Sequence, residues 1–152
     1  MSFMKQALNL AIRAQSHGDV PIGAVIVKDG KIIARGENQV QQKKNPTLHA
    51  EIIAINKACK KLGTKFLDGC DIYVTLEPCA MCATAISFAR IKNVYFAAQD
   101  IKGGAILNNA NIYDNDKHLW KPAIHYLQEY EEKSAKLLKD FFQELRKNKN
   151  GE

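Results

Sequence analysis

Two short motifs restrict the fold of this chain more than any other feature. One is His-x-Glu at His49 and Glu51, and the other is Pro-Cys-x-x-Cys at 78–82, whose first cysteine lies thirty positions after His49. Two thiolates and one imidazole are ligands that zinc accepts, and a catalytic zinc site has three protein ligands and water in the fourth position. Because both motifs lie at predicted helix starts, we expect the fold to bring them to one pocket.

Glu51 has a different predicted role from His49. Residues two apart on a helix point roughly 200° away from each other, so Glu51 does not join His49 as a ligand. We interpret Glu51 as the general acid and base, beside a zinc ion held by His49, Cys79 and Cys82. Two thiolates neutralise the dication, and a neutral imidazole preserves its Lewis acidity. This combination is the known signature of zinc-dependent nucleobase deaminases, and it predicts hydrolytic deamination.

The cysteine pair is also typical of three other kinds of structure. A strand followed by Cys-x-x-Cys at a helix start is also typical of thioredoxin-like redox proteins, although these leave His49 and Glu51 unexplained. A structural zinc site needs a fourth ligand, and the remaining candidates form no second pair at a recognisable spacing. Those candidates are Cys59, Cys70, His118 and His125. Plain core packing is the third interpretation. The non-enzymatic alternative is therefore a zinc-stabilised or redox-active RNA-binding module.

The hydrophobic pattern predicts a single α/β domain over residues 1–152. Two β-branched runs flank Asp29-Gly30, which is a strong signal for a hairpin. Alternating strands and helices then indicate a three-layer α/β/α fold, with a mostly parallel sheet and the hairpin at an antiparallel edge. The predicted helices cover residues 3–15, 47–62, 78–88 and 130–146, the other strands cover 71–75 and 93–98, and a long loop covers 99–117.

Charge and hydropathy limit the partners of the chain. Lysine and arginine outnumber aspartate and glutamate by 22 to 16, which gives a net charge of +6. This excess fits either a solubilising surface or a polyanionic partner such as nucleic acid. Polar residues interrupt every apolar run near the start of the chain, so we expect no signal peptide, no membrane span and a cytoplasmic location.

Four stretches of the sequence resemble the cytidine deaminase superfamily, and most closely the bacterial tRNA-specific adenosine deaminases. They read VPIGAVIVKDGKIIARGEN, NPTLHAEIIAI, IYVTLEPCAMCATAISFARI and KLLKDFFQELR. The resemblance implies a cytidine deaminase-like fold with a mixed sheet of about five strands. It also implies one zinc ion per chain, a homodimer, and conversion of the wobble adenosine in a tRNA anticodon stem-loop to inosine.

The same resemblance suggests residues that contact the substrate. Asn38 would recognise the flipped base or its ribose, although a turn role is an equal alternative. Asp100 and Lys102 would hold neighbouring nucleotides, unless they are only part of a solvated loop. The last helix, with Phe141, Phe142 and Arg146, would approach the RNA, where aromatic rings stack and arginine meets phosphate.

Several positions depart from the family pattern. Leu48 stands where a small residue is common, and Gln99 stands where a basic residue is common. Phe141 and Phe142 are adjacent and face different directions, so at least one of them belongs to the core. A deaminase of free guanine or of a nucleoside, with the same fold and metal, is therefore the alternative enzyme.

Overall fold

A five-stranded mixed sheet organises the chain and brings both motifs to one edge. The structure, a computed structural model, describes residues 2–149. The strand order is β2-β1-β3-β4-β5. The elements are α1 (Phe3–Ser16), β1 (Gly23–Lys28), β2 (Lys31–Glu37), α2 (Val40–Lys43), α3 (Ala50–Leu62), β3 (Asp71–Leu76), α4 (Ala80–Phe88), β4 (Asn93–Ala98), α5 (Ile112–Asn115), β5 (Ala123–Tyr126), a 3-10 turn (Gln128–Tyr130) and α6 (Glu131–Lys149).

The pairing of the strands explains why the site lies at one edge of the sheet. Strand β1 is antiparallel to both β2 and β3, whereas β3, β4 and β5 run parallel to one another. Gly23 pairs with Glu37 across the hairpin, and Leu76 pairs with Ala98. The start of β1, the end of β2 and the carboxyl ends of β3 and β4 therefore share one edge, where ligands bind in open α/β sheets.

Helices cover both faces of the sheet, so the predicted three-layer α/β/α architecture is confirmed. Along β4, Val94 and Phe96 belong to the larger core, which also contains buried residues of α3 and α4. The intervening Tyr95 and Ala97 face the smaller core, which α1 contributes to and α6 packs against. This alternation follows from the two-residue period of a strand.

A glycine lets α3 approach the end of β2 closely. A Cβ atom at Gly36 would lie 2.2 Å from the carbonyl oxygen of Ala50 and 2.9 Å from the amide nitrogen of Ala54. Any side chain at position 36 would therefore push the first turn of α3 away from the sheet. The position of Glu51 depends on this contact, because Glu51 belongs to that turn.

The structure corrects three details of the sequence prediction. The sheet is not mostly parallel, because two of its four pairings are antiparallel. Helix α3 starts at Ala50 rather than near residue 47, because the side chain of Asn45 accepts the Thr47 amide at 3.0 Å and forms a local turn. The strand Ala123–Tyr126 lies outside the segments predicted as strands, and it completes the expected number of about five.

The predicted loop at 99–117 contains the short helix α5. Within residues 2–149, no helix combines the length and the apolar character that crossing a bilayer requires.

Candidate metal centre and substrate cleft

His49 reaches the cysteine pair because it precedes α3 instead of belonging to it. It occupies the N-cap position with an extended backbone (φ −71°, ψ 153°). Its Nδ1 atom lies 3.6 Å from Sγ of Cys79 and 3.5 Å from Sγ of Cys82. The three ligand atoms lie within 4.8 Å of one another. The structure therefore brings together the three residues that the motifs predicted as ligands.

The cysteines occupy the N-terminal end of α4 and differ in their protonation. Cys79 is the N-cap residue, and Cys82 is buried in the first turn. Hydrogen bonding from the Cys82 thiol, with a smaller contribution from the bond with His49, lowers the pKa of Cys79 to about 4. The same bond, together with burial, raises the pKa of Cys82. Hydrogen bonding to Cys79 also raises the pKa of His49. The group therefore already holds one thiolate.

The dimensions of this group fit a tetrahedral metal ion. Zinc–sulfur bonds of about 2.3 Å and zinc–nitrogen bonds of about 2.0 Å at tetrahedral angles place sulfur and nitrogen about 3.5 Å apart. The measured separations are 3.6 and 3.5 Å. Among residues 2–149, no other group of three potential ligands lies so close together. The four candidates for a fourth protein ligand are therefore not part of the group, as a catalytic rather than a structural site requires.

Glu51 lies beside the metal-binding group without belonging to it. Glu51 belongs to the first turn of α3 and is 4% exposed. Burial raises the pKa of this carboxyl to about 7; the charge of Cys79 adds to the rise, while His49 opposes it. A carboxyl with such a pKa can both accept and release a proton near neutral pH.

Asn38 connects the end of β2 to the start of α3. Its Oδ1 accepts a hydrogen bond from the Ala50 amide at 2.9 Å, and His49 makes no side-chain cap. Asn38 therefore caps the helix whose first turn carries Glu51. Within the described part of the chain, no acceptor bonds to the Nδ2 group of Asn38, which lines the cleft described next.

A cleft of about 670 Å³ opens beside His49. We call the three predicted contact residues at its mouth the rim: Asp100 and Lys102 from the segment after β4, and Phe142 from α6. The cleft is lined by Val20, Ile22, Asn38, His49, Leu76, Ala98, Gln99, Asp100, Ile101, Lys102, Gly103, Ala135, Leu138 and Phe142. Apolar walls and a few polar groups are typical of sites that hold a flat heterocycle.

A buried hydroxyl fixes α6 over the cleft. Ser134 donates to the Thr75 carbonyl at 2.5 Å, near the end of β3. From this anchor, Ala135, Leu138 and Phe142 recur at spacings of three and four and line the cleft.

Two predicted residues of α6 lie elsewhere. Phe141 lines a separate groove with Gln15 and Gly18, so the two phenylalanines face different ways as predicted. The prediction that one of them belongs to the core is wrong, because neither is part of a buried cluster. Arg146 is exposed and does not line the cleft.

Sequence reasoning overlooked one buried residue of this region. Glu77 lies between Leu76 and Pro78, directly before the cysteine motif, and it is 2% exposed. Its carboxylate accepts hydrogen bonds from the segment that carries Asp100 and Lys102. An acidic residue between a strand end and a proline, in an otherwise apolar stretch, is the signal that could have identified it.

Comparison with known proteins assigns the family. The MafB19-like deaminase family profile matches residues 1–146. A tRNA-specific adenosine deaminase of Aquifex aeolicus (strain VF5) is 45% identical over 150 residues, which cover 96% of this chain and 95% of that protein.

Two solved structures are also similar. One comes from a study of A-to-I editing by tRNA:A34 deaminases at the wobble position of transfer RNA. It has a TM-score of 0.80 and is 47% identical to this chain. The match covers 82% of this chain and 95% of that one. The other is a guanine deaminase from Bacillus subtilis, with a TM-score of 0.64, 45% identity and coverage of 83% and 82%. The chain therefore belongs to the MafB19-like deaminase family, in the group that includes the bacterial tRNA-specific adenosine deaminases.

Proposed function

We propose that this protein is a zinc-dependent hydrolase that converts the wobble adenosine of a tRNA anticodon stem-loop to inosine. The observation that carries the proposal is the convergence of His49, Cys79 and Cys82 beside buried Glu51, in a chain that is 45% identical to a tRNA-specific adenosine deaminase over nearly its whole length. In the reaction, water adds at C6 of adenine, the bond from C6 to the amino nitrogen breaks, and ammonia leaves.

Guanine deaminase activity is the second candidate, because a guanine deaminase is a close relative at 45% identity. The sequence comparison supports the adenosine deaminase assignment more strongly. The match to the tRNA-specific adenosine deaminase of Aquifex aeolicus covers 96% of this chain, whereas the match to the guanine deaminase of Bacillus subtilis covers 80%. The basic end of α6, with Arg146, Lys147 and Lys149, also favours a polyanionic substrate.

The proposed metal is zinc, one ion per chain, held by His49, Cys79 and Cys82. Two soft thiolate ligands and an imidazole select zinc over the hard cations that prefer oxygen. In such a site zinc supplies Lewis acidity toward water.

The remaining steps belong to the side chains around the ligands. Glu51 accepts a proton from the attacking water and delivers it to N1 of the purine. It then accepts the remaining proton from the new C6 hydroxyl and passes it to the departing amino group, which leaves as ammonia while C6 becomes a carbonyl. Asn38 keeps its Oδ1 on the Ala50 amide and donates from Nδ2 to the base or its ribose. The rim receives the nucleotides beside the flipped adenosine, with Phe142 available for stacking.

The direct test is inosine formation. Zinc-loaded protein is incubated with an anticodon stem-loop that carries adenosine at the wobble position, and the nucleosides are analysed by mass spectrometry. A matched stem-loop with guanosine at that position and free guanine serve as comparison substrates. We expect inosine from the first RNA only. Deamination of free guanine without inosine formation would instead support the second candidate.

We also propose a homodimer that acts in the cytoplasm, where tRNA is used. Helix α4 supports the dimer, because its large apolar side chains Met81 and Phe88 are 37% and 68% exposed. Sedimentation of the wild-type protein should give twice the mass of one chain, and Phe88→Lys should shift the distribution toward the monomer. A wild-type monomer at micromolar concentration would contradict the proposal.

A further inference from the structure

We infer that Glu77 is a positioning residue, which holds the loop part of the rim, Asp100 and Lys102, in the geometry that binds RNA. The inference rests on the proposed function for the identity of the substrate. Glu77 is neither a member of the metal-binding group nor one of the residues that line the cleft. Its carboxylate instead binds the segment of the chain that carries Asp100 and Lys102, so its side chain acts on the cleft through that segment.

The Glu77 carboxylate accepts five hydrogen bonds. Its Oε1 accepts from the Asp100 amide at 3.1 Å and from Nδ2 of Asn108 at 2.6 Å. Its Oε2 accepts from three consecutive amides, those of Ile106 (3.1 Å), Leu107 (2.9 Å) and Asn108 (3.2 Å). Consecutive backbone N–H groups that point to one centre form an anion-binding concavity. Here the anion is a side chain of the protein itself.

Within the described part of the chain, the donors to this buried carboxylate are backbone N–H groups and the Asn108 amide. Within residues 2–149, no lysine, arginine or histidine nitrogen lies within 4.0 Å of Glu77. A buried carboxylate without a cation depends on its hydrogen-bond donors, and losing several of them is costly. The segment therefore cannot move away from Glu77 without leaving this charge unsatisfied.

Glu77 closes the segment at both of its ends. Asp100 starts the segment, and residues 106–108 end it, so a single side chain fixes the loop between them. Inside the loop, the Asp100 carboxylate accepts from the Lys102 amide at 3.2 Å and from the Gly103 amide at 2.9 Å. Asp100 and Lys102 are thus part of a loop that is ordered before any substrate arrives, which reduces the entropy cost of binding.

The contact is also close enough to restrict a neighbouring position. A Cβ atom at Gly104 would lie 2.4 Å from Cδ of Glu77 and 2.6 Å from the Asp100 carbonyl oxygen. Gly104→Ala should therefore displace the segment without changing any charge. This variant tests the same contact independently of Glu77.

The experiment compares Glu77→Gln with the wild type. Glutamine keeps the shape but replaces one acceptor oxygen by an NH₂ group, so at least two of the five donors would face another donor. We expect KM for the stem-loop RNA to rise about tenfold, with kcat within about threefold and zinc content unchanged. Gly104→Ala should give the same pattern. The matched control is Glu132→Gln, an exposed carboxylate on α6, which should leave both constants unchanged.

A merely structural role would lower the melting temperature, the zinc content and kcat together, and it would leave KM unchanged. That result, or an unchanged KM in both variants, would overturn the inference. If Glu77→Gln does not fold, Asn108→Ala removes one of the five donors and should raise KM about threefold.

Amide hydrogen exchange separates this inference from the proposed function. Wild-type protein that forms no inosine would contradict the proposed function, but the amides of Asp100 and residues 106–108 would still report the role of Glu77. In Glu77→Gln these amides should exchange at least about tenfold faster, while amides of β4 stay protected. Equal exchange rates in the two proteins would overturn the inference even if the wild type is active.

Discussion

The metal centre and the rim are built in different ways. The three candidate metal ligands lie at or beside the starts of two helices at the sheet edge, and Glu51 is buried in the first turn of α3. The rim consists of partly exposed side chains on a loop and on the middle of α6. Those two elements are fixed from a distance, by Glu77 and by Ser134 respectively.

This difference separates chemistry from specificity. The metal-binding group is assembled where two helices begin at one edge of the sheet, so its geometry follows from the fold itself. The rim depends on contacts between distant parts of the chain, and such a surface can change without disturbing the ligands. The comparison predicts that variants of the metal centre affect kcat or metal content, whereas variants of the rim affect KM.

The largest expected effect is on the chemistry of Glu51. Glu51→Gln keeps the size of the side chain and removes its ability to exchange protons, so kcat should fall by about 10² to 10⁴-fold. Zinc content, measured by atomic absorption, should remain at the wild-type value because Glu51 is outside the group of ligand atoms. Full activity of this variant would refute the proposed mechanism, and loss of zinc would show that Glu51 belongs to the metal centre as a ligand.

The same substitution should stabilise the metal-free protein above neutral pH. Burial raises the pKa of Glu51 from 4.5 to about 7. Below pH 4.5 the carboxyl is protonated in the folded and unfolded states, so it imposes no penalty. Between pH 4.5 and about pH 7, the carboxyl ionises in the unfolded state only, so the free energy of unfolding falls as pH rises. Above pH 7 the penalty is complete, at about 3 kcal/mol.

Urea unfolding of chelator-treated proteins measures this penalty. Glu51→Gln should exceed the wild type by about 3 kcal/mol at pH 8 and match it near pH 4.5. A difference that is the same at both pH values would show that burial of the charge is not its cause. The metal centre would then not differ from the rim in the free energy that burial of a charged group costs.

The metal centre was the part of the molecule that the sequence predicted best, and the physical reason is local. His49, Cys79 and Cys82 carry rare chemistry at fixed spacings from helix starts, and such signals need no knowledge of distant contacts. Even there, the helix argument was only partly right. His49 is an N-cap residue with extended backbone rather than a helical residue, so its direction relative to Glu51 follows from the cap.

The parts that were missed depend on tertiary contacts. Glu77 looked like an ordinary residue of the cysteine motif because its five donors come from residues 100–108, far along the chain. The strand Ala123–Tyr126 gives a weak sequence signal because it is only four residues long and none of them is fully buried. Its pairing with β4 defines it as a strand. The sequence left Asn38 between a turn role and a binding role. Its Oδ1 accepts from the Ala50 amide, and the residue lines the cleft, so recognition of the base or its ribose stays a prediction.

A neighbouring pair of residues sharpens the comparison within α6. Phe142 lines the cleft and is 40% exposed, whereas Phe141 lines a separate groove with residues of the α1 end. Stacking of a base on an aromatic ring contributes about 1 kcal/mol or more, so Phe142→Ala should raise KM about fivefold and leave kcat unchanged.

Phe141→Ala is the matched control. It should keep KM within about twofold and lower the free energy of unfolding by about 1 to 2 kcal/mol, because Phe141 is only half-buried. Steady-state kinetics and urea unfolding of both variants measure the contrast. The assignment of Phe142 to the rim would be wrong if the two substitutions had the same effect on KM.

The smallest expected effect concerns Arg146, which the family resemblance assigned to RNA binding and the structure leaves outside the cleft. An exposed arginine beyond the rim contributes to attraction of the RNA through the general field of the helix end, which salt screens. Arg146→Ala should therefore weaken binding of the stem-loop about twofold at low salt and have no measurable effect at high salt. Lys147→Ala, its exposed neighbour, should behave in the same way. Fluorescence anisotropy across a salt series distinguishes this screened attraction from a direct phosphate contact. With a direct contact, Arg146→Ala would weaken RNA binding more than Lys147→Ala does, and the weakening would persist at high salt. That result would extend the rim by one helical turn beyond Phe142 and would make α6, rather than the loop held by Glu77, the principal RNA-binding element.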